Sequence, residues 1–208
     1  MNVSVTALDC LANTIKASGT DMKVIRVEPA VPAVSLTWMI GSRCNYACSY
    51  CPSDLHDDTS PHPNLEQLKL IWDNFYQKTR HSDLPYKISF TGGEVTANRS
   101  FLPLVKYLRD NFDIEQIIVT TNGSASTSYY LRLATLVDAI SFSIHSEFWN
   151  EQKFFETVTA VNQVMKPPEK SCHVNIMDEP WNRSNIQDYQ KRLNELEVSN
   201  SVNIIRYD

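Results

Sequence analysis

The sequence predicts an α/β fold: a partial (βα)6 TIM-like barrel of parallel strands, preceded by a short N-terminal extension. Three observations carry that reading. Six apolar, β-branched runs alternate with five amphipathic segments of helical period, the pattern of a parallel sheet wrapped by helices. The 208 residues, 42% of them hydrophobic, suffice for one core-forming domain. The residues that look chemical all fall just after the predicted strands, where parallel α/β barrels build their active face.

In order along the chain, residues 1–32 differ in character from the rest. Val5–Lys16 reads as an amphipathic helix broken by Gly19, and Lys23–Val27 as a strand, with Pro29 and Pro32 as punctuation. The core domain is expected over 33–208. Its strands are predicted at Val34–Ile40, Tyr86–Phe90, Gln116–Thr120, Ala139–Ile144, His173–Met177 and Ser201–Tyr207. Helices are predicted at Asn64–Lys78, Ser100–Asn111, Ser126–Leu136, Glu151–Met165 and Asn185–Leu196. In the first of these, Leu65, Leu68, Ile71, Trp72 and Phe75 recur at three- and four-residue spacing, which gathers them on one face.

Directly after the first strand comes Cys44-Asn45-Tyr46-Ala47-Cys48-Ser49-Tyr50-Cys51, a Cys-x3-Cys-x2-Cys run with no fourth cysteine nearby. Four thiolates usually hold an iron–sulfur cluster, so three in one tight loop suggest a cluster with one iron left open to bind substrate or cofactor. A structural zinc site wants four closed ligands, commonly as two separated Cys-x2-Cys pairs. Here only Cys48 and Cys51 make such a pair, and His56 and His62 lack finger or ribbon spacing. An odd five cysteines and no signal-peptide pattern at the N-terminus disfavour a disulfide framework.

The run resembles the Cys-x3-Cys-x-aromatic-Cys signature of the radical S-adenosylmethionine (SAM) superfamily, with Tyr50 in the aromatic place. Thr91-Gly92-Gly93-Glu94 is similar to its Gly-Gly-Glu motif, and Thr120-Thr121-Asn122-Gly123 to its Thr-Asn-Gly turn, in the expected order. Val95 departs from the proline that many members carry after the glutamate, a change to loop stiffness more than to chemistry. The resemblance implies a [4Fe-4S] cluster on Cys44, Cys48 and Cys51 and SAM chelating the open iron. It also implies reductive cleavage of SAM to a 5′-deoxyadenosyl radical that takes hydrogen from a substrate, with electrons from a flavodoxin- or ferredoxin-like donor.

The remaining site residues follow from the same loops. Gly92 and Gly93 suit a backbone that turns at positive φ or approaches a ligand closely. Glu94 can accept from a cationic amine, which the resemblance makes the methionyl amine of SAM. Asn122 serves either the SAM ribose or carboxylate, or the turn itself. Ser143 is a candidate for the methionyl carboxylate or a sheet serine bonded to its own backbone. Tyr50 is expected over the cluster edge near adenine. His145 and Asp178 are the candidate catalytic residues facing substrate, with Trp149 and Trp181 as possible stacking rings. Arg43, Lys87, Arg99 and Arg206 are potential anchors for carboxylate or phosphate.

Function classes narrow accordingly. A formal net charge of −5 speaks against broad binding to nucleic acid or anionic membrane. No apolar run approaches the length of a membrane span, and thiolates that must stay reduced suit the cytoplasm. The substrate is expected to be a small molecule or nucleotide-like metabolite. The alternatives are a protein or peptide substrate, as in glycyl-radical activation, and a non-catalytic cluster- or SAM-sensing module. The ligand reading makes a direct prediction. Alanine at Cys44, Cys48 or Cys51 should each abolish iron in anaerobically reconstituted protein, and alanine at Cys10 or Cys172 should not. Iron and sulfide analysis checks it; loss of iron in Cys172→Ala would overturn the three-ligand set.

Overall fold

The computed structural model describes residues 32–52 and 56–205. Six strands form one open, all-parallel sheet in chain order: β1 (Val34–Met39), β2 (Tyr86–Thr91), β3 (Ile114–Thr121), β4 (Ala139–Ile144), β5 (Ser171–Asp178) and β6 (Ser199–Ile204). Between them run α1 (Leu65–Thr79), α2 (Phe101–Asn111), α3 (Thr127–Leu136), α4 (Glu151–Val164) and α5 (Ile186–Glu195). This is the predicted partial (βα)6 barrel. The sixth strand differs in register from its prediction, beginning at Ser199 instead of Ser201, because Ser199 pairs with His173 of β5. Tyr207, Arg206, Cys10 and the expected elements Val5–Lys16 and Lys23–Val27 lie outside the described residues.

Local sequence sets the helix starts. Asn64 opens α1 with a reciprocal capping box: its side chain accepts from Gln67 N–H (3.0 Å) while its own N–H donates to Gln67 Oε1 (2.9 Å). Ser126 and Asn150 cap α3 and α4 in the same one-sided way, each accepting from a backbone N–H in the first turn. At the opposite end from the active loops, Arg109 ties strands together. Its guanidinium donates to the carbonyls of Leu136 (2.7 Å) and Ile114 (2.6 Å) and to the carboxylate of Asp138.

The two faces of the sheet differ sharply. On the helix-covered face Ile88, Phe90, Ile117, Val119, Ile140, Phe142, Val174 and Ile176 are buried. The opposite, concave face carries Ser89, Thr91, Ser141, Ser143, His173, Asn175, Ser199, Ser201 and Asn203. Register places Ser141 beside His173, and Ser143 beside Asn175, which pairs in turn with Ser201. A polar ladder follows: Asn175 Nδ2 donates to Ser141 Oγ (2.7 Å), Ser201 Oγ donates to Asn175 Oδ1 (3.2 Å), and His173 bonds the hydroxyls of Ser199 and Ser201. The strands read as apolar, β-branched runs in the sequence, and in the structure they alternate, because helices cover one face only and the other lines an open, polar interior.

Trp72 of α1 anchors the β1–β2 side of the core. It is fully buried, with the rings of Trp38, Phe75, Tyr76, Tyr86 and Phe112 at centroid distances of 5.4–6.3 Å. Its indole N–H is buried without a hydrogen-bond partner. Trp72→Ala should therefore lower stability by about 3–5 kcal/mol. Trp72→Phe should cost clearly less, since it also removes an unpaired buried donor. Urea unfolding of the two variants checks the order; equal losses would contradict it.

Candidate active site

The loop after β1 carries the three cysteines and is gripped from both sides. Its near side continues the pairing of β1 with β2 by backbone bonds: Ile40 N–H to Thr91 O, Gly93 N–H to Gly41 O (2.9 Å) and Glu94 N–H to Arg43 O (3.0 Å). The glycines matter for this approach. A Cβ on Gly93 would lie 2.2 Å from Arg43 O, and one on Gly92, which sits at φ +131°, would lie 2.4 Å from Gly41 O. What comes close to these glycines here is the cysteine loop's own backbone.

A returning segment closes the loop's base. Asp57 accepts the N–H of Cys44 through its carbonyl (2.9 Å) and the hydroxyl of Ser42 through its carboxylate (2.6 Å). The same carboxylate accepts the N–H groups of Thr59 and Ser60. These donors, that of Ser42 foremost, hold the Asp57 carboxyl well below the usual carboxylate range. Sequence reading passed over Asp57, although Asp57-Asp58-Thr59-Ser60-Pro61 has the composition of a side-chain-capped turn.

From the far side the loop after β4 clamps the run at three points. His145 Nδ1 meets the hydroxyl of Tyr50 and lies 3.7 Å from Cys48 Sγ, with its ring stacked on Tyr50 at 6.0 Å and 14°. Glu147 Oε2 accepts the N–H of Ser49 (2.7 Å), and Phe148 stacks on Tyr46 at 5.8 Å. Burial holds the His145 imidazole down to about 4, so the ring is neutral at pH 7 and shares one hydrogen bond with the Tyr50 hydroxyl through Nδ1. Burial likewise pushes the phenol of Tyr50 far up. Behind this clamp Glu179 is fully buried, accepting the N–H and hydroxyl of Ser146.

Glu94 is the centre of the arrangement. It is 3% exposed, and its Oε1 accepts from Thr96 N–H (2.9 Å), Thr96 Oγ1 (2.6 Å) and Thr121 Oγ1 (2.7 Å). Oε2 accepts from one donor among the described residues, the N–H of Asn122 (2.6 Å). Burial raises its pKa, and the bonds from Asn122, Thr96 and Thr121 oppose that rise. The side chain of Asn122 serves the turn, its Oδ1 accepting from Ser124 N–H (3.0 Å). Its amide reaches the cysteine loop, at 3.0 Å from Asn45 Oδ1 and 3.9 Å from Cys44 Sγ. Ser143 is buried on the concave face, with no side-chain hydrogen bond among the described residues.

One cavity of about 290 Å3 collects these groups. Cys44, Cys48, Cys51, Tyr50, Gly92, Gly93, Glu94, Asn122, Ser143 and His145 all line it, joined on the β5–β6 side by Asn175, Met177 and Asn203. Asp178 is not brought there. It follows the strand alternation of Ile176 toward the helix side, and its carboxylate pairs with Arg183 Nε (2.8 Å). Trp181 is half exposed and donates to Ser146 Oγ (3.1 Å), while Trp149, partly buried, packs against the core beside Phe154 and Tyr189. Lys87 pairs with Glu115 near the start of its strand, away from the mouth.

The donor set fits an iron–sulfur cluster. Among the described residues no three His, Cys, Asp or Glu side chains close around a point for a single ion. The three thiols instead spread around a shared cavity, with the Tyr46 N–H pointing at Cys44 Sγ (3.4 Å) in the manner of backbone donors to cluster ligands. Burial pushes the Cys48 thiol up to about 12 and raises that of Cys44, so iron binding must displace their protons.

A family profile described as the Radical SAM superfamily matches residues 38–167, well over half of the chain. The chain belongs to the radical SAM superfamily. Membership brings a [4Fe-4S] cluster and SAM as cofactors and an enzyme's use of them. Among curated proteins it is 34% identical over 83 residues to GTP 3′,8-cyclase of Pasteurella multocida, covering 38% of this chain and 23% of that protein. It is 38% identical over 87 residues to an S-adenosylmethionine-dependent nucleotide dehydratase of Selenomonas ruminantium, covering 41% of this chain and 28% of that one. The matched stretches thus span about a quarter of those relatives. The crystal structure of Streptococcus suis SuiB bound to S-adenosylmethionine shares the fold, with a TM-score of 0.64 at 16% identity over 86% of this chain and 42% of that one. No helix among the described residues is long and apolar enough to cross a membrane.

Two substitutions test the geometry of this radical SAM site. Gly93→Ala should leave the sheet folded and prevent iron retention, because its Cβ cannot share space with Arg43 O; iron content set against far-UV circular dichroism reads both. Glu94→Ala should cost on the order of 3 kcal/mol in stability, since several buried donors lose a charged acceptor together. Unchanged unfolding in that variant would remove Glu94 from its central place.

Proposed function

We propose that this chain performs radical SAM chemistry on a nucleotide, with Cys44, Cys48 and Cys51 as the cluster ligands. The observation that carries the reading is the convergence of three motif loops, after β1, β2 and β3, on one cavity that also takes in Ser143 and His145. When bound, the cluster supplies one electron to SAM, whose cleavage to methionine yields a 5′-deoxyadenosyl radical able to take a hydrogen atom from substrate.

The protein's own part is orientation and exclusion of water. The less engaged oxygen of Glu94, Oε2, is the acceptor for the methionyl ammonium, a charge-assisted bond. The unengaged hydroxyl of Ser143 is the donor for the methionyl carboxylate. The stacked Tyr50–His145 pair makes an apolar wall for adenine, and a neutral His145 holds the Tyr50 hydroxyl and borders Cys48 without acting as an acid. Asn203, at the far wall beside Asn175, offers its amide to a nucleobase or sugar. The nucleotide class is supported by the two relatives named for nucleotide chemistry. The external donor is a flavodoxin- or ferredoxin-like protein.

Reduced, reconstituted protein should form 5′-deoxyadenosine from SAM, and a nucleoside triphosphate should raise that rate at least about tenfold over protein alone. Chromatographic assay across the common nucleotides and a set of peptides checks the class. Stimulation by peptides and by no nucleotide would replace the reading with a peptide-modifying one.

A further inference from the structure

A second cavity, of about 670 Å3, adjoins the first and shares Cys44, Tyr46 and His56 with it. Arg43, Arg99, His62 and Phe148 complete its character. Among the described residues neither guanidinium is neutralised by a carboxylate. Among the described residues the polar contact of the Arg43 side chain is a long one, Nη1 to Ser60 O at 3.4 Å, and Arg99 has no side-chain hydrogen bond or ion pair. Asp58 lines the cavity too, one carboxylate against the two guanidiniums, while Asp57 is outside the lining and its carboxylate accepts from Ser42, Thr59 and Ser60. Burial and the positive charge of Arg43 together hold the His62 imidazole below its ordinary range. His56 Nε2 is buried with no partner. Facing these groups, the stacked rings of Tyr46 and Phe148 give an apolar wall, with Phe148 46% exposed.

Arg43 and Arg99, both exposed, bring two guanidiniums to one cleft in a chain of net charge −5. Such a cleft concentrates positive potential, and the planar fork of arginine matches the oxygens of a phosphate. We propose that this cleft binds the phosphate groups of a nucleotide, with Arg43 and Arg99 as charge-assisted donors and the Tyr46–Phe148 face packing against the adjoining organic part. The inference rests on the nucleotide reading above and adds to it the residues that select a phosphorylated form. A concave cleft suits a small anion better than a docked protein, whose stable interface needs roughly 800 Å2 from each side.

The test is equilibrium binding of GTP, CTP, the corresponding nucleosides and inorganic pyrophosphate to anaerobically reconstituted protein. Triphosphates should bind at least about tenfold more tightly than nucleosides, and added salt should weaken them. Arg43→Ala and Arg99→Ala should each weaken triphosphate binding about tenfold or more, with partial rescue by lysine. Iron content is measured in parallel. If Arg43→Ala loses iron through its contact with Ser60, Arg99→Ala decides alone, since that side chain holds nothing else in place. Triphosphate affinity unchanged in Arg99→Ala overturns the cleft and leaves the nucleotide reading standing. Pyrophosphate binding that needs Arg99, with no nucleotide bound at all, overturns the nucleotide occupant instead. Slower reduction by flavodoxin but not by dithionite in the variants, with nucleotide binding intact, would make the cleft a docking face for the donor and overturn the proposal.

Discussion

The carboxylate of Glu94 accepts four hydrogen bonds from two strand ends while its own backbone N–H bonds a third. Thr96 belongs to its own loop, Thr121 and Asn122 to the end of β3, and Arg43 to the cysteine loop after β1. A buried charge is tolerable only when so surrounded, and the surrounding donors are themselves fixed by having to meet it. The position of Cys44 depends on this knot twice, through the Arg43 carbonyl and through the Asn122 amide near its sulfur. Radical SAM proteins need their cluster ligands held by a loop, and here one carboxylate gives that loop a rigid foundation.

The rest of the mouth completes the hold. Asp57 closes the base of the loop, and the β4 loop grips its far half by a ring stack, a carboxylate and the His145–Tyr50 pair. Glu179 then fixes the β4 loop through Ser146. Three carboxylates of unremarkable sequence context, Asp57, Glu147 and Glu179, therefore position the cysteines without facing the cavity's interior. Backbone N–H groups are what each of them satisfies, which is how an irregular loop stays ordered without belonging to a sheet.

The one-sided covering of the sheet shapes the chemistry in reach. With helices on one face only, the concave face is free to carry serines, asparagines and a histidine bonded to one another. Such a ladder is satisfied internally near the β4–β6 strand starts, while Ser143 and Asn203 further up line the cavity. Polar groups without internal partners are thus concentrated where ligands would sit, and the arginines of the neighbouring cleft extend the same distribution.

The sequence by itself determined the element order, the parallel topology and the cysteine loop, because hydrophobic periodicity and close cysteine spacing are local signals. It also located the Gly-Gly-Glu and Thr-Asn-Gly turns at strand ends, and parallel strands bring such ends together without further information. Only the tertiary structure decided what those residues touch. Gly92 and Gly93 make room for the neighbouring loop's backbone, Glu94 turns inward, Asp178 turns away to Arg183, and Trp149 packs against the core. Of the arginines and lysine picked out as anchors, Arg43 and Arg99 meet in one cleft while Lys87 pairs at the distant end of its strand. The reason is common to all of them: a side chain's partner depends on strand parity and on contacts between residues far apart in the chain, and neither is written in its neighbours.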